Sequence, residues 1–237
     1  MPDSYGAPAL VVSCEHGGNQ VPHEFAELFR GREKLLESHR GYDIGILPFA
    51  ERLAGVFAAP FEASSVTRLL VDLNRSPGSR ACFSEISRPL APTERAAILR
   101  DYYEPYRRRV TERVAERLAV GSSVLHLSVH SFTPQFDGRT RKTEVGLLYD
   151  PAHAGETDFC RRWREVLGRL DPALRVHRNA PYRGTSDSLV KTLRQRFGSD
   201  RYLGIELEIN QKFPVGPPQL WQDIQSLLEQ SLRAFLG

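Results

Sequence analysis

A histidine followed by two glycines, in Cys14-Glu15-His16-Gly17-Gly18-Asn19, stands at the end of the apolar run 8–13. Such a short apolar run reads as a buried strand, and the glycines let the backbone turn sharply after it. A second histidine, His130, ends the run 122–129 and is followed by Ser131-Phe132. Open α/β sheets gather their chemistry at the carboxyl ends of strands. Two imidazoles at such ends point to a metal site, because neutral imidazole is the commonest metal ligand. A catalytic zinc takes three protein ligands and keeps one position open. No His-Glu-x-x-His pair occurs, so the ligands must be gathered from distant segments. Asp43, in His39-Arg40-Gly41-Tyr42-Asp43-Ile44-Gly45, is our choice for the third ligand, although an aspartate before a helix also serves as an N-cap. Glu15 is the rival, but alternation along an extended strand points it away from its neighbour His16 unless the turn has begun.

Two further segments carry polar groups where an apolar pattern ends. In Val71-Asp72-Leu73-Asn74-Arg75, the guanidinium of Arg75 can grip a carboxylate through its planar fork while Asn74 adds an amide donor. The pair reads as a clamp for an acidic substrate. In Gly204-Ile205-Glu206-Leu207-Glu208-Ile209-Asn210, two carboxylates share one face of an otherwise apolar strand. Burying them is costly unless they are paired with arginines or functional. A general base toward water is one such function. Glu208 lies nearer the carboxyl end of that strand, so it is the expected base, with Glu206 the alternative.

Other chemistries lack their residues. There is no Gly-x-Ser-x-Gly elbow and no phosphate-binding Gly-rich loop ending in Lys-Ser or Lys-Thr. Cys14 lies two residues from His16, so a Cys-His nucleophile pair is conceivable, but a buried strand cysteine is far commoner. The three cysteines are too scattered for a disulfide framework or a metal clip. A net charge of +3 with dispersed arginines gives no footprint for nucleic acid. No apolar run reaches the roughly 18 residues that span a bilayer, and the N-terminus carries no signal-peptide pattern. The expectation is a cytoplasmic protein of unknown oligomeric state.

These residues need elements to position them. Strand patterns cover 10–13, 66–72, 122–129, 144–149, 174–177 and 202–209. Helical spacing covers 22–29, 44–57, 93–118, 155–170, 186–197 and 218–235. Thr93 reads as the N-cap of the long helix and Pro105 as its kink; Ser186 or Asp187 caps the helix to 197. The alternation predicts one domain over 1–237, an α/β three-layer sandwich with a mixed, mostly parallel sheet flanked by helices. The longest loops should be 76–91 and 132–143.

The segments 13–18, 41–43, 68–75, 129–134, 144–150, 179–184 and 204–210, in order along nearly the whole chain, together resemble the N-formylglutamate amidohydrolase family. Asp72-Leu73-Asn74-Arg75 and His130-Ser131 also look like signatures of zinc carboxypeptidases, where Asn-Arg holds the substrate carboxylate and the histidine binds zinc. Those enzymes take two ligands from His-x-x-Glu; here Asn19 stands three residues after His16, which leaves the carboxylate to come from elsewhere. The resemblance implies a zinc carboxypeptidase/phosphorylase-hydrolase-like core. It implies one Zn2+ per chain, with other divalent metals as alternatives, and a small acidic N-acyl amino acid or peptide as substrate. His16, Asp43 and His130 would hold the metal and Glu208 would move the proton. Asn74, Arg75, Arg141 and Tyr182 would hold the substrate. The alternatives are a metallocarboxypeptidase-like peptidase and a non-catalytic binder of acidic ligands.

Overall fold

In a computed structural model that describes residues 8–121 and 123–236, a six-stranded sheet lies between two layers of helices. The strands are β1 (Ala9–Cys14), β2 (Phe61–Ala63), β3 (Val124–Phe132), β6 (Val145–Leu148), β7 (Val176–Arg178) and β8 (Tyr202–Asn210), in the order β2-β1-β3-β8-β6-β7. A separate two-stranded hairpin joins β4 (Gln135–Phe136) to β5 (Arg139–Thr140). Every pairing in the large sheet is parallel except β6 against β8. The fold class is the one expected: a mixed, mostly parallel α/β sandwich. Ser122, expected to open β3, lies outside the described residues.

The period of two along the central strands divides the sheet into unlike faces. One face presents Leu10, Val12 and Cys14 from β1, Leu125, Leu127 and Val129 from β3, and Ile205, Leu207 and Ile209 from β8, all buried. Helices α2 (Ile46–Val56), α5 (Ala154–Leu170) and α7 (Pro218–Leu236) cover it with Phe49, Leu53, Trp163 and Leu228. Removing this much apolar surface from water is the main source of stability. The opposite face starts apolar at Val11, Val124 and Tyr202, packed under α4 (Glu104–Val120) and α6 (Leu189–Phe197). It then turns polar toward the carboxyl ends: Ser13 on β1, His126, Ser128 and His130 on β3, Glu206 and Glu208 on β8, each buried. Register sets Ser128 beside Glu206 and His130 beside Glu208.

Several boundaries differ from the sequence expectation for local reasons. The apolar run 66–72 is not a strand: Val66 makes one isolated bridge to Gln20, and 67–75 is a series of turns. The Thr67 hydroxyl donates to Gly41 O, and Asp72 Oδ1 accepts from Asn74 N at 2.9 Å, so side chains satisfy backbone groups that a strand ladder would otherwise use. The missed strands are β2 and the short pair β4 and β5, which lies inside the expected loop 132–143. The long helix 93–118 begins with Ala91 as cap and Pro92 in its first turn, not with Thr93 as cap. It is α3 (Pro92–Ile98) and α4 joined by a π-helical turn, Leu99–Tyr103, which widens the backbone just before Pro105, where the ring removes a donor and crowds the preceding turn. Helix α6 is capped by Ser188, whose Oγ accepts from Lys191 N at 3.1 Å; Asp187 instead accepts from Ser76. The remaining short helix is α1 (Glu33–Leu36), after a 3-10 turn at His23–Phe29.

Candidate active site

β1 ends at Cys14 and the chain turns at Glu15-His16. Gly18 is required there: a Cβ would lie 2.6 Å from the carbonyl oxygen of Ser65, where the two segments cross. Because the turn has begun, strict alternation fails, and Glu15 and His16 both approach His130. The ring centroids of His16 and His130 are 5.1 Å apart. Asp43 is held by a backbone bond from its own N–H to His16 O at 2.9 Å. It is not the cap of α2; that position is Gly45, in the left-handed conformation. Asp43 Oδ2 lies 2.9 Å from His130 Nδ1 and 3.6 Å from His16 Nδ1. One ligand atom from each of His16, Asp43 and His130 falls within 4.8 Å of the others, all three residues buried.

The far side of each ring shows which nitrogen is free. His16 Nε2–H donates to Asp72 Oδ1 at 2.8 Å. His130 Nε2–H is shared between Ser128 Oγ at 2.8 Å and Glu15 Oε2 at 3.1 Å. With both Nε2 atoms protonated, both Nδ1 lone pairs face the Asp43 carboxylate, and His16 Nδ1 has no hydrogen-bond partner. Acceptors facing acceptors inside a protein need a cation or a proton between them. A cation among two imidazole nitrogens and a carboxylate oxygen fits this donor set, and backing carboxylates are what orient metal-bound histidines. Without a metal the need falls on His130. Burial lowers its pKa, but hydrogen bonds to Asp43 and Glu15 more than reverse that and raise it well above the usual histidine range.

The same electrostatics act on the carboxylates. Burial opposes ionisation of Asp43, yet His16 and His130 hold it well below the usual range. Burial likewise opposes ionisation of Asp72, which Arg68 and His16 overcome. The Arg68 guanidinium donates to Asp43 Oδ1 at 3.2 Å and Asp72 Oδ2 at 2.8 Å, tying the Asp43 carboxylate to the one behind His16. Glu208 behaves oppositely. Burial, with repulsion from Asp43 and Glu206, outweighs His130 and Arg68 and pushes its pKa up to about 7. Its Oε2 is buried without a partner. Gly146 lies opposite it on β6, where a Cβ would approach Glu208 Cβ to 3.1 Å and Ala180 O to 2.3 Å. Glu206 is also raised by burial, but accepts from Asn74 Nδ2 at 3.0 Å.

These groups open onto one cleft of about 190 Å³. His16, Asp43 and His130 form its floor, Glu206 and Glu208 one wall, and Arg68, Arg75, Tyr182 and Arg183 its rim. Asn74 borders the cleft, but both ends of its amide are engaged within the protein: Nδ2 with Glu206 and Oδ1 with Leu189 N at 2.8 Å. Arg75 donates to the carbonyl oxygens of Asn74 and Asp187. Among the described residues neither Arg75 nor Arg183 forms a salt bridge, and Glu206 pairs with neither. Arg141 reaches the cleft only through Tyr182, donating to its hydroxyl at 3.1 Å, with its guanidinium packed against Phe132, Phe136 and Tyr182. Cys14 is fully buried, and burial with the nearby Glu15 and Asp43 charges raises its pKa well above the thiol range, the wrong direction for a nucleophile.

Arg68, Asp72 and Arg183 were not assigned roles from the sequence. Arg68 and Asp72 are four residues apart, a spacing that hints at the pair, but their grip on Asp43 and His16 is tertiary.

The model of the N-formylglutamate amidohydrolase family matches residues 8–213. The chain belongs to that family. Membership makes it an amidohydrolase. A crystal structure of a gene product from Agrobacterium tumefaciens is similar with a TM-score of 0.76 and 28% identity, over 96% of this chain and 91% of that one. A crystal structure of N-formylglutamate amidohydrolase from Ralstonia eutropha JMP134 is similar with a TM-score of 0.70 and 20% identity, over 99% of this chain and 96% of that one. No curated protein sequence matches the chain. No helix among the described residues is long and apolar enough to cross a membrane.

Proposed function

We propose that this amidohydrolase is metal-dependent and cleaves small N-acylated acidic amino acids, with N-formylglutamate the substrate its family favours. His16, Asp43 and His130 would hold one Zn2+ through two Nδ1 atoms and a carboxylate oxygen. A divalent ion bound there polarises the amide carbonyl and acidifies water. The observation that carries the reading is the company this cluster keeps. Glu208, a buried carboxylate with one oxygen left without a partner, and two arginines without salt bridges, Arg75 and Arg183, share its cleft.

The residues divide the work by position. Arg75 and Arg183 bind the two carboxylates of the amino-acid portion and set the scissile bond over the floor of the cleft. Glu208 takes a proton from the attacking water as its oxygen bonds to the carbonyl carbon. It then returns the proton to the amide nitrogen as the C–N bond breaks, releasing formate and glutamate. A base with a pKa near the working pH suits both transfers. Arg68 keeps Asp43 and Asp72 ionised, Asn74 holds Glu206 aside, and Arg141 supports Tyr182 from behind.

Release of formate from N-formyl-L-glutamate by the metal-loaded protein tests the reading. Arg75→Ala should cut kcat/KM for this substrate by about 2 kcal/mol, roughly thirtyfold, the low end for a partly buried charge pair. An analogue with amidated carboxylates should lose far less. Equal losses for both compounds would make Arg75 a brace for residues 74 and 187 and not a substrate contact.

A further inference from the structure

A second cleft of about 280 Å³ adjoins the first, and Asp43, Arg68, Ser131 and Tyr182 border both. The two therefore meet beside the metal-binding floor. The inner cleft holds Arg75 and Arg183, which form no salt bridge among the described residues; the outer one holds none of the groups assigned to proton transfer. Most of its lining is polar or charged, with His39, Arg40, Asp72, Thr133 and Gln211 among it, but it also carries two large aromatic rings exposed to solvent, Phe136 at 55% and Tyr182 at 43%. Large exposed rings beside a cleft offer flat surface on which a ligand ring can stack. They are also fixed in place. Asp137 and Gly138 both take positive φ, the turn that closes a tight two-residue hairpin. The Arg141 guanidinium lies 4.8 Å from the Phe136 ring centroid and 5.0 Å from that of Tyr182, joining hairpin to loop.

A formyl group has two heavy atoms and fills on the order of 60 Å³, about two waters' share of liquid volume. The outer cleft is several times larger. We infer that the outer cleft is an acyl subsite, and that the enzyme takes acidic amino acids carrying an acyl group with a flat aromatic body that stacks on these rings, such as an arylacyl or aromatic aminoacyl group, in preference to formyl. The inference rests on the hydrolase reading for the direction in which the substrate lies. The amino-acid carboxylates take Arg75 and Arg183, so the acyl portion leaves past Asp43 and Arg68 toward Phe136.

Binding and turnover of N-benzoyl-L-glutamate and N-formyl-L-glutamate test it, in the wild type and in Phe136→Ala. Calorimetry on the metal-free protein should show the benzoyl compound binding at least about tenfold tighter, the scale of one aromatic pair together with the apolar area it buries. Phe136→Ala should reduce that preference to about twofold or less. Equal affinities in the wild type, or a preference that survives Phe136→Ala, would overturn the subsite. The kinetic arm separates this from the hydrolase reading. If the binding preference holds but the metal-loaded protein cleaves neither compound, hydrolysis fails and the subsite stands. If formate is released with no binding preference for benzoyl, the subsite fails and hydrolysis stands.

Discussion

Replacing Glu208 with glutamine should leave a folded protein that still binds its metal but turns over N-formyl-L-glutamate at least about 10²-fold more slowly, the usual scale for losing a general base. Glutamine keeps the shape and removes only the proton acceptor. Glu206→Gln should cost far less, because Glu206 is already engaged with Asn74. A Glu208→Gln enzyme with near-normal turnover would remove Glu208 from the proton path; the opposite pattern for the pair would shift the base one repeat back along β8.

The same substitution has a signature in stability. Glu208 holds its proton more tightly folded than unfolded, with a pKa of about 7 against an ordinary 4.5. The folded state therefore binds more protons between these values, and its stability falls as pH rises through that window. The loss is absent below the lower value and complete above the upper. Glu208→Gln removes it, so the metal-free variant should exceed wild type in stability above about pH 7, by on the order of 3 kcal/mol. The two proteins should converge near pH 4. Urea unfolding of both across that range reads the difference. A variant less stable than wild type at pH 8 would show that Glu208 has a structural partner.

Removing ligands should abolish tight metal binding outright. His16→Ala, Asp43→Ala and His130→Ala each delete one of three donors. Elemental analysis after dialysis should find each nearly metal-free while the wild type holds about one metal per chain. Glu15→Gln is the informative contrast. Its carboxylate lies behind His130 at 3.1 Å from Nε2, so it orients the ring and should cost only about 10–100-fold in affinity. If Glu15→Gln loses the metal and Asp43→Ala keeps it, Glu15 is the ligand and Asp43 a brace for Arg68.

Much of this site was legible in the sequence because it follows from strand geometry. A period of two puts His126, Ser128 and His130 on one face and Glu206 and Glu208 on one face, and strand ends in an α/β fold gather polar groups. The parts that were not legible depend on tertiary contacts. Leu69, Leu70, Val71 and Leu73 are as apolar as a strand, but turns closed by the Thr67 and Asp72 side chains shape them. Asn74, expected to clamp substrate, is held between Glu206 and the start of α6, elements more than 100 residues away. Arg141 has the residue type for an anion site, yet the rings of Phe132, Phe136 and Tyr182 take up its guanidinium. Arg68 opens the segment 68–75, but its spacing shows only Asp72 as a neighbour; the folded chain brings its fork onto Asp43 as well.

Hydrolysis at the His16–Asp43–His130 cluster should require a bound metal. The most direct measurement is a titration of chelator-stripped protein with Zn2+, following formate release from N-formyl-L-glutamate. Formate release should be absent without metal, rise linearly with added Zn2+ and break at one equivalent per chain, with no recovery at any stoichiometric addition in His16→Ala. Full activity in the stripped protein, or a break that persists in His16→Ala, would contradict it.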